Sequence, residues 1–316
     1  MEVLVFGSAI VDFISYVERL PRLGETLKGR KFATGYGGKG ANQCVAAARL
    51  GASTAMIAKL GDDSWGNDYL EHLRQEGVDV EFTQQCKNET TGVAQISVSD
   101  GGDNCIIITP GANDSLNRED VSKAEKLFTS CKILICQLEV PVESTLHALQ
   151  AFKGISILNA APALQNTPIE LLKSATIFCV NESEAALMTG ANEIVNLEQS
   201  KEALMKLQEM GANTVVITLG SLGAVYVKSD KKNEFIHVPS ITVKKVVDTT
   251  GAGDAFIGAL AYFMAKYPKS ALHQQIGAAC RIASYSVQYP GTQSSFPNHQ
   301  DMSINLDVEN FDWFLL

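Results

Sequence analysis

The chain has 316 residues, of which 46% are hydrophobic and 19% are charged, as in an ordinary globular protein with a sizeable core. Its formal net charge of −9 argues against nucleic acid as a partner, because such binding needs clustered lysine and arginine. The longest apolar stretch without a charge, Ala255–Ala265, is too short to cross a bilayer, so no membrane partner is expected. The cysteines form no C-x-x-C pair and the histidines no H-x-x-x-H pair, which argues against a zinc site. Unpaired cysteines and the absence of a basic leader predict a cytoplasmic protein, with the nucleus as an alternative compartment.

Short β-branched apolar runs alternate with helical patterns along most of the chain. The predicted strands are Glu2–Phe6, Thr54–Leu60, Lys132–Gln137, Ile155–Asn159, Thr176–Val180 and Thr214–Leu219. The predicted helices between them are Lys39–Leu50, Trp65–Glu76, Val142–Phe152 and Leu197–Met210. This alternation predicts a single α/β domain over residues 1–316, with a mostly parallel sheet between two layers of helices.

Two segments interrupt the alternation. Phe13–Tyr36 is rich in glycine and proline without a helical pattern, and Gly92–Thr109, within an insertion of about 88–109, reads as a β-hairpin. We expect the two insertions to pair as a small separate sheet that forms a lid over the site. Ordinary surface loops are the alternative.

Polar residues follow the predicted strands of the sheet. In open parallel sheets, ligands bind beyond the carboxyl ends of the strands. The residues at these positions are Asp12, Glu139, Asn159, Asn181 and Thr218 with Gly220. The set suggests a polar ligand at this edge.

The strongest local signal is Asp248-Thr-Thr-Gly-Ala-Gly-Asp254, which is followed directly by the apolar helix Ala255–Ala265. A glycine-rich helix start presents free N–H groups and a positive dipole end to an anion. Asp254 lies within reach of such an anion, and the dipole favours its ionised form, which can accept a proton. A glycine-rich turn with an aspartate N-cap is the alternative interpretation.

A second signal is Gly37-Gly-Lys-Gly-Ala-Asn-Gln43 at the start of a predicted helix. Lys39 and Asn42 can hydrogen-bond hydroxyl groups while the glycines leave room for a ring, although a tight turn into a packed helix is also consistent. The segment is not a Walker A loop. The first strand is followed by Gly7 alone and lacks the G-x-G-x-x-G that a nicotinamide-dependent oxidoreductase requires. A non-catalytic sugar or nucleotide binder stays open, but it would not need Asp254 at an anion site.

These two segments, in this order, resemble the signatures of the ribokinase branch of the PfkB-type carbohydrate kinases. Asn181–Glu184 also matches the family's N-x-x-E, and Thr218–Gly223 matches its T-x-G-x-x-G nucleotide loop. Gly61–Gly66 is similar to a further family element. The resemblance extends from about Val3 to Pro297 and implies a ribokinase-like α/β/α sandwich with a small β-sheet lid.

The resemblance implies ATP-dependent phosphorylation of D-ribose at its 5-hydroxyl, giving ribose 5-phosphate and ADP. Deoxyribose, fructose and adenosine are alternative acceptors, although Lys39 with Asn42 favours the ribokinase branch over adenosine kinases. In the implied mechanism Asp254 is the general base and the amides of Gly251–Gly253 form the anion hole. The implied cofactors are ATP, Mg²⁺ and K⁺, and the family's lids commonly pair in a homodimer.

The resemblance also implies roles for individual residues. The sugar would be bound by Asp12, Gly38, Lys39, Gly40, Asn42, Glu139 and Asp254. The nucleotide would be bound by Asn181, Thr218, Gly220, Ser221, Gly223, Gly253 and Asp254. Glu184, with Asn181, would organise phosphates and hydrated magnesium. The potassium site would comprise Asp248, Thr250, Ser286, Gly291 and Ser295.

Two positions leave questions. Bacterial members of the branch usually carry asparagine where this chain has Ile10, which leaves ribose against deoxyribose or another sugar open. Cys280 falls near the adenine position of the family, and the sequence assigns it no role.

Overall fold

The structure is a computed structural model that describes residues 1–231, 234–300 and 305–316. The strands of the described residues are β1 (Val3–Phe6), β2 (Ile10–Val17), β3 (Lys31–Gly37), β4 (Thr54–Gly61), β5 (Thr83–Cys86), β6 (Gly92–Ser99), β7 (Asn104–Thr109), β8 (Ile133–Cys136), β9 (Ile155–Asn159), β10 (Ile177–Asn181), β11 (Thr214–Thr218), β12 (Ala224–Val227), β13 (Ile236–Val238) and β14 (Phe314–Leu315). The α-helices are α1 (Lys39–Arg49), α2 (Ser64–Gln75), α3 (Arg118–Lys123), α4 (Glu125–Ser130), α5 (Val142–Ala151), α6 (Ile169–Ser174), α7 (Glu182–Thr189), α8 (Leu197–Glu209), α9 (Ala252–Lys266) and α10 (Leu272–Ser286).

The larger sheet of the described residues has ten strands in the order β14-β13-β12-β11-β10-β9-β8-β1-β4-β5. The strands from β5 to β11 run parallel, whereas β12, β13 and β14 pair antiparallel at one edge. The parallel part confirms the prediction from the alternating pattern. The short parallel strand β5, the antiparallel edge strands and the helices α3, α4, α6, α7 and α10 were not predicted.

Successive residues of β1 point into two separate hydrophobic cores. Val3 and Val5 pack with residues of α1, α9 and α10 on one face of the sheet. Leu4 and Phe6 pack with residues of α3 to α8 on the other face. The strand is buried on both sides, which is why it reads as a continuous apolar run. The predicted three-layer α/β/α architecture is confirmed.

The smaller sheet has the strand order β3-β2-β6-β7 and is formed by the two irregular segments. β2 pairs antiparallel with β3 and parallel with β6, and β6 and β7 form the predicted hairpin. The expected small second sheet is therefore present. It extends outward from the carboxyl edge of the large sheet, because β2 begins shortly after β1 ends and β3 leads directly into α1.

Helices α1 and α9 pack unusually closely at Gly258. A Cβ atom at Gly258 would lie 2.6 Å from the carbonyl oxygen of Gln43 and from the Cβ of Ala46, so only glycine allows this approach. The contact brings the first turns of both helices together. Those turns carry the two motifs singled out in the sequence.

None of the helices in the described part of the chain combines the length and apolar character that a bilayer crossing requires.

Candidate active site

A cavity of about 170 Å³ lies at the carboxyl ends of the central parallel strands. It is lined by Lys39, Asn159, Ala161, Cys179, Val180, Asn181, Glu184, Thr218, Gly251, Gly253, Asp254, Phe256 and Ile257. Eight of the residues selected from the sequence are among them: Lys39, Asn159, Asn181, Glu184, Thr218, Gly251, Gly253 and Asp254. The topology therefore brings both sequence motifs and the N-x-x-E segment to one cavity.

The start of α9 faces this cavity. Gly251 is the N-cap residue with a φ of 79°, in the left-handed region that favours glycine. A Cβ placed at Gly253 would meet no atom within 4 Å, so open space adjoins the first turn. The unpaired N–H groups of a first turn and the positive end of its dipole suit an anion there.

Asp254 lies in the first turn of α9, with 8% of its surface exposed. Its Oδ2 accepts a hydrogen bond from Asn42 Nδ2 at 2.9 Å, and its Oδ1 accepts one from Gln43 Nε2 at 2.8 Å. Two neutral amides thus orient the carboxylate without neutralising it. Each oxygen keeps a further lone pair for a proton or a hydroxyl.

Further amides lie behind the two that hold Asp254. Gln43 Oε1 accepts from Gln137 Nε2 at 2.7 Å, and Gln43 Nε2 also donates to Asn159 Oδ1 at 3.0 Å. Asn42 Oδ1 accepts from Gln293 Nε2 at 3.0 Å. Neither Gln137 nor Gln293 was predicted as a site residue. The only available signal was that Gln137 ends a predicted strand.

The predicted sugar-binding residues surround the start of α1. Gly38 caps this helix with a φ of 83°, and the Gly40 N–H donates to Ser8 Oγ at 3.2 Å. Glu139 Oε2 accepts from Ser8 Oγ at 2.6 Å and from the Lys39 N–H at 2.8 Å. Burial raises the pKa of Glu139 despite the nearby Lys39 ammonium.

Asp12 reaches the same region from β2 of the small sheet. Burial, together with the neighbouring carboxylates of Glu139 and Asp254, raises the pKa of Asp12 to about 7. Three acidic side chains from separate elements therefore converge here. Their proximity favours a neutral, hydroxyl-rich ligand or a cationic neighbour over an anion at this end of the site.

Lys39 supplies a cation between this acidic cluster and the cavity. Burial would lower the pKa of Lys39, but the carboxylates of Asp254, Glu139 and Glu184 outweigh it and raise that pKa. The ammonium is thus held charged inside a partly buried site. It lines the cavity beside the start of α9, where an anion would gain a second positive partner.

The residues predicted for the nucleotide lie on the far side of the cavity. Asn181 and Glu184 form a capping box at the start of α7, with reciprocal side-chain to backbone bonds of 2.8 Å. Thr218 lines the cavity at the end of β11. The residues Gly220, Ser221 and Gly223 lie in the turn that follows, outside the set that lines the cavity.

The segment predicted to hold potassium lies next to the start of α9. Asp248 Oδ1 accepts from the Thr250 N–H at 2.9 Å, and its Oδ2 accepts from the Gly291 N–H at 2.8 Å. The hydroxyls of Ser286 and Ser295 bond within their own turns, to the carbonyls of Ala283 and Thr292. Asp248 therefore links its own loop, before α9, to the loop around Gly291. Ser286, at the end of α10, and Ser295, in the 3₁₀ turn after Gly291, lie on either side of that second loop.

The donor atoms present fit the two implied cations. No cluster of three His, Cys, Asp or Glu side chains suited to a metal occurs within residues 1–231, 234–300 and 305–316. Magnesium needs only one or two carboxylates beside substrate phosphates, and Glu184 lines the cavity for that. The predicted potassium residues Asp248, Thr250, Ser286 and Ser295 all carry side-chain oxygens, the donor type that hard cations prefer.

The two positions that raised questions are both buried. Ile10 is 3% exposed at the start of β2. Cys280 lies in the core between α10 and the sheet, where burial raises the pKa of its thiol to about 12. Cys280 is therefore an unreactive packing residue.

Residues 1–299 match the pfkB family of carbohydrate kinases. The chain is 45% identical over 307 residues to a mouse ribokinase, covering 96% of this chain and 94% of that protein. It is 36% identical over 312 residues to a Salmonella typhi deoxyribokinase, covering 98% and 99%. The structure of Arabidopsis thaliana ribokinase complexed with ribose and ATP superposes with a TM-score of 0.86 at 32% identity, covering 95% and 96%.

An open α/β sheet with a carboxylate beside an anion-binding helix start is the arrangement of a small-molecule kinase, that is, a phosphotransferase with an alcohol group as acceptor. The match over nearly the whole chain makes the assignment specific. The chain belongs to the PfkB family of carbohydrate kinases.

Proposed function

We propose that this protein is a ribokinase, which transfers the γ-phosphoryl group of ATP to the 5-hydroxyl of D-ribose. The observation that carries the proposal is the position of Asp254 at the open start of α9, held by Asn42 and Gln43. The mouse ribokinase and the Arabidopsis structure with ribose and ATP support this choice of substrates.

In the proposed reaction Asp254 takes the proton of the 5-hydroxyl as that oxygen attacks the γ-phosphorus. The bond between the γ-phosphorus and the bridging oxygen breaks, and its electron pair leaves with ADP. The amides around Gly253 and the Lys39 ammonium lie where they would stabilise the charge on the transferring group. A bound magnesium ion would neutralise phosphate charge, with Glu184 and Asn181 as the residues that organise it.

Positioning contributes more to this reaction than the base does. Alignment of a hydroxyl with the γ-phosphate is worth on the order of 7–11 kcal/mol at best. A positioned base adds roughly 10²–10⁴-fold in rate. This ranking explains why so much of the site is devoted to fixed amides.

The acidic cluster suits the sugar end of the site. We assign Asp12 and Glu139 to hydroxyl groups of the sugar, with Asn42 and the glycine-lined start of α1 completing the pocket. The small sheet that carries Asp12 would act as a lid that excludes water, a competing acceptor. We further assign Thr218, Gly220, Ser221 and Gly223 to the nucleotide, and the loops joined by Asp248 to a potassium ion.

Deoxyribose is the second candidate acceptor. The Salmonella deoxyribokinase is nearly as long as this chain and covers almost all of it. Ile10, which is buried, stands where bacterial members usually carry asparagine. A sugar contact would then be absent or come from the backbone.

The deciding experiment is a coupled ADP-release assay with ribose, 2-deoxyribose, fructose and adenosine, each with and without potassium. We expect the highest kcat/KM for ribose and a clear increase with potassium. A higher kcat/KM for 2-deoxyribose would assign the chain to the second candidate, and activity on none of the four would overturn the proposed function.

We also propose that the protein forms a homodimer through the small sheet. All six residues of β7 are exposed, and three of them are consecutive isoleucines, 106–108. An exposed apolar edge strand is a ready surface for another chain.

All seven cysteines are free, which agrees with a reducing compartment such as the cytoplasm.

A further inference from the structure

We propose that Gln293 is a positioning residue for the base: it orients the Asn42 amide, which in turn holds Asp254. This inference rests on the proposed role of Asp254. Gln293 lies 251 residues from Asn42 in the chain, in a short 3₁₀ turn that no sequence motif marked as functional.

Gln293 is 4% exposed, and its amide makes three side-chain hydrogen bonds. Its Nε2 donates to Asn42 Oδ1 at 3.0 Å and to the Tyr69 hydroxyl at 3.2 Å. Its Oε1 lies 2.7 Å from His72 Nε2. A buried amide with this many partners has one orientation that satisfies all of them.

The direction of each bond follows from the carboxylate outward. Ionised Asp254 can only accept, so Asn42 must present its Nδ2 to it and its Oδ1 to Gln293. Gln293 must therefore donate to Asn42. Its own Oε1 then faces His72, which must carry its proton on Nε2.

Tyr69 reinforces the same direction. The Tyr69 hydroxyl donates its proton to the carbonyl of Gly37, so it can only accept from Gln293. If the Gln293 amide turned over, Tyr69 would have to donate to it and would lose the bond to Gly37. The chain of donors thus runs one way, from His72 through Gln293 and Asn42 to Asp254. If Asn42 turned over, a carbonyl oxygen would face the carboxylate.

The backbone of Gln293 is also held. The Arg49 guanidinium donates to the carbonyls of Gln293 and Phe296, the latter at 3.2 Å. Two further bonds of 2.7 and 2.6 Å join Arg49 to the Glu76 carboxylate. Such a paired, forked contact fixes the turn that presents the Gln293 side chain.

The test compares Gln293→Met with Gln275→Met. Gln275 is an equally buried glutamine, at 4% exposed, whose Nε2 donates to the carbonyl of Tyr267 at 2.9 Å, away from the candidate site. We expect both variants to lose similar thermal stability. Without Gln293 the Asn42 amide is free to turn away from Asp254, so Gln293→Met should lower kcat with ribose about tenfold to a hundredfold, the value of the Asn42 hydrogen bond to the charged carboxylate, and leave KM for ATP unchanged.

Two further variants separate positioning from packing. Gln293→Glu keeps the size but attracts the Asn42 Nδ2 away from Asp254, so it should lower kcat more than Gln293→Met does. In an Asn42→Ala background, Gln293→Met should change kcat by less than about twofold, since its route to the base is gone.

A kcat for Gln293→Met equal to that of Gln275→Met would overturn the positioning role, as would full additivity with Asn42→Ala. The proposed function fails separately, when the unmodified enzyme phosphorylates none of the four acceptors.

Discussion

Gly37 and Asp12 approach each other so closely that a Cβ atom at Gly37 would lie 2.5 Å from Asp12 Oδ2. The two residues lie on adjacent strands, β3 and β2, near the point where the small sheet joins the body. The missing side chain of Gly37 therefore makes room for the Asp12 carboxylate. This relationship explains why the first position of the G-G-K-G segment is occupied by glycine.

Gly37→Ala should displace the Asp12 carboxylate and weaken sugar binding. We expect KM for the sugar to rise about tenfold, the loss of one charge-assisted hydrogen bond, with KM for ATP unchanged. Steady-state kinetics with each substrate varied in turn provide the measurement. Gly29→Ala is the control, because a Cβ there would come no closer than 3.6 Å to the Tyr16 carbonyl oxygen. Equal sugar KM values for the two variants would contradict the role of Gly37.

Asp12→Asn should change the pH dependence of stability. The pKa of Asp12 is raised from 3.8 to about 7. In the window between these two pH values the folded state therefore keeps a proton on Asp12 that the unfolded state has released. Stability attributable to Asp12 is therefore lost as the pH rises through the window. The unfolding free energy of Asp12→Asn, measured relative to that of the wild type, should therefore increase by about 2 kcal/mol as the pH rises from about 5 to about 8.

Denaturant unfolding at several pH values measures this gain. A difference between the two proteins that stays constant across the window would show that Asp12 is ionised throughout. The sugar KM of the wild type should also rise as the pH falls below about 7, because a neutral carboxyl accepts fewer hydrogen bonds.

Asp254→Asn should abolish most of the activity. An asparagine cannot take the hydroxyl proton, and its NH₂ would face a donor, either Asn42 Nδ2 or Gln43 Nε2. We expect kcat to fall by about 10²-fold or more, with little change in sugar KM. Calorimetry of sugar binding to the variant serves as the control for a folded site. A near-normal kcat would remove Asp254 from the mechanism.

Asp248→Asn should weaken activation by potassium. Burial would raise the pKa of Asp248, but hydrogen bonds from Thr250 and Gly291 outweigh it and keep that pKa below its usual value. The charge is thus available to a cation. The variant should need about tenfold more potassium for half-maximal activity, since it loses the only formal charge that we assign to the cation site.

A potassium titration at constant ionic strength measures this, with Asp230→Asn, in an exposed turn, as the control. Wild-type activity that does not change with potassium concentration would rule out the cation site.

Ile107→Lys should separate the proposed dimer. Ile107 is 60% exposed on β7, and a lysine there would place like charges together in a two-fold interface. We expect light scattering to give the dimer mass for the wild type and the monomer mass for the variant. Val195→Lys, also at a 60% exposed apolar position, should leave the mass unchanged. A monomeric wild type would refute the interface.

Much of the large sheet could be predicted because its strands carry local signals. The predicted run Ile155–Asn159 coincides with β9, and each end of the runs at β1, β4, β8, β10 and β11 agrees to within one residue. The antiparallel edge was missed because β13 and β14 are very short. Their pairing depends on contacts with distant segments rather than on their own pattern.

The two glycine-rich motifs, the helix starts that follow them and the identity of Asp254 were determined by the sequence itself. Each depends on backbone freedom and dipoles within a few residues. Only the tertiary structure decided which amides hold that carboxylate and its partner: Asp254 lies 212 residues from Asn42 in the chain, and Gln293 lies 251 residues from Asn42. The hydrogen-bond partners of a buried glutamine produce no pattern in the nearby sequence. They are fixed by the packing of distant elements, such as the close contact of α1 and α9 at Gly258.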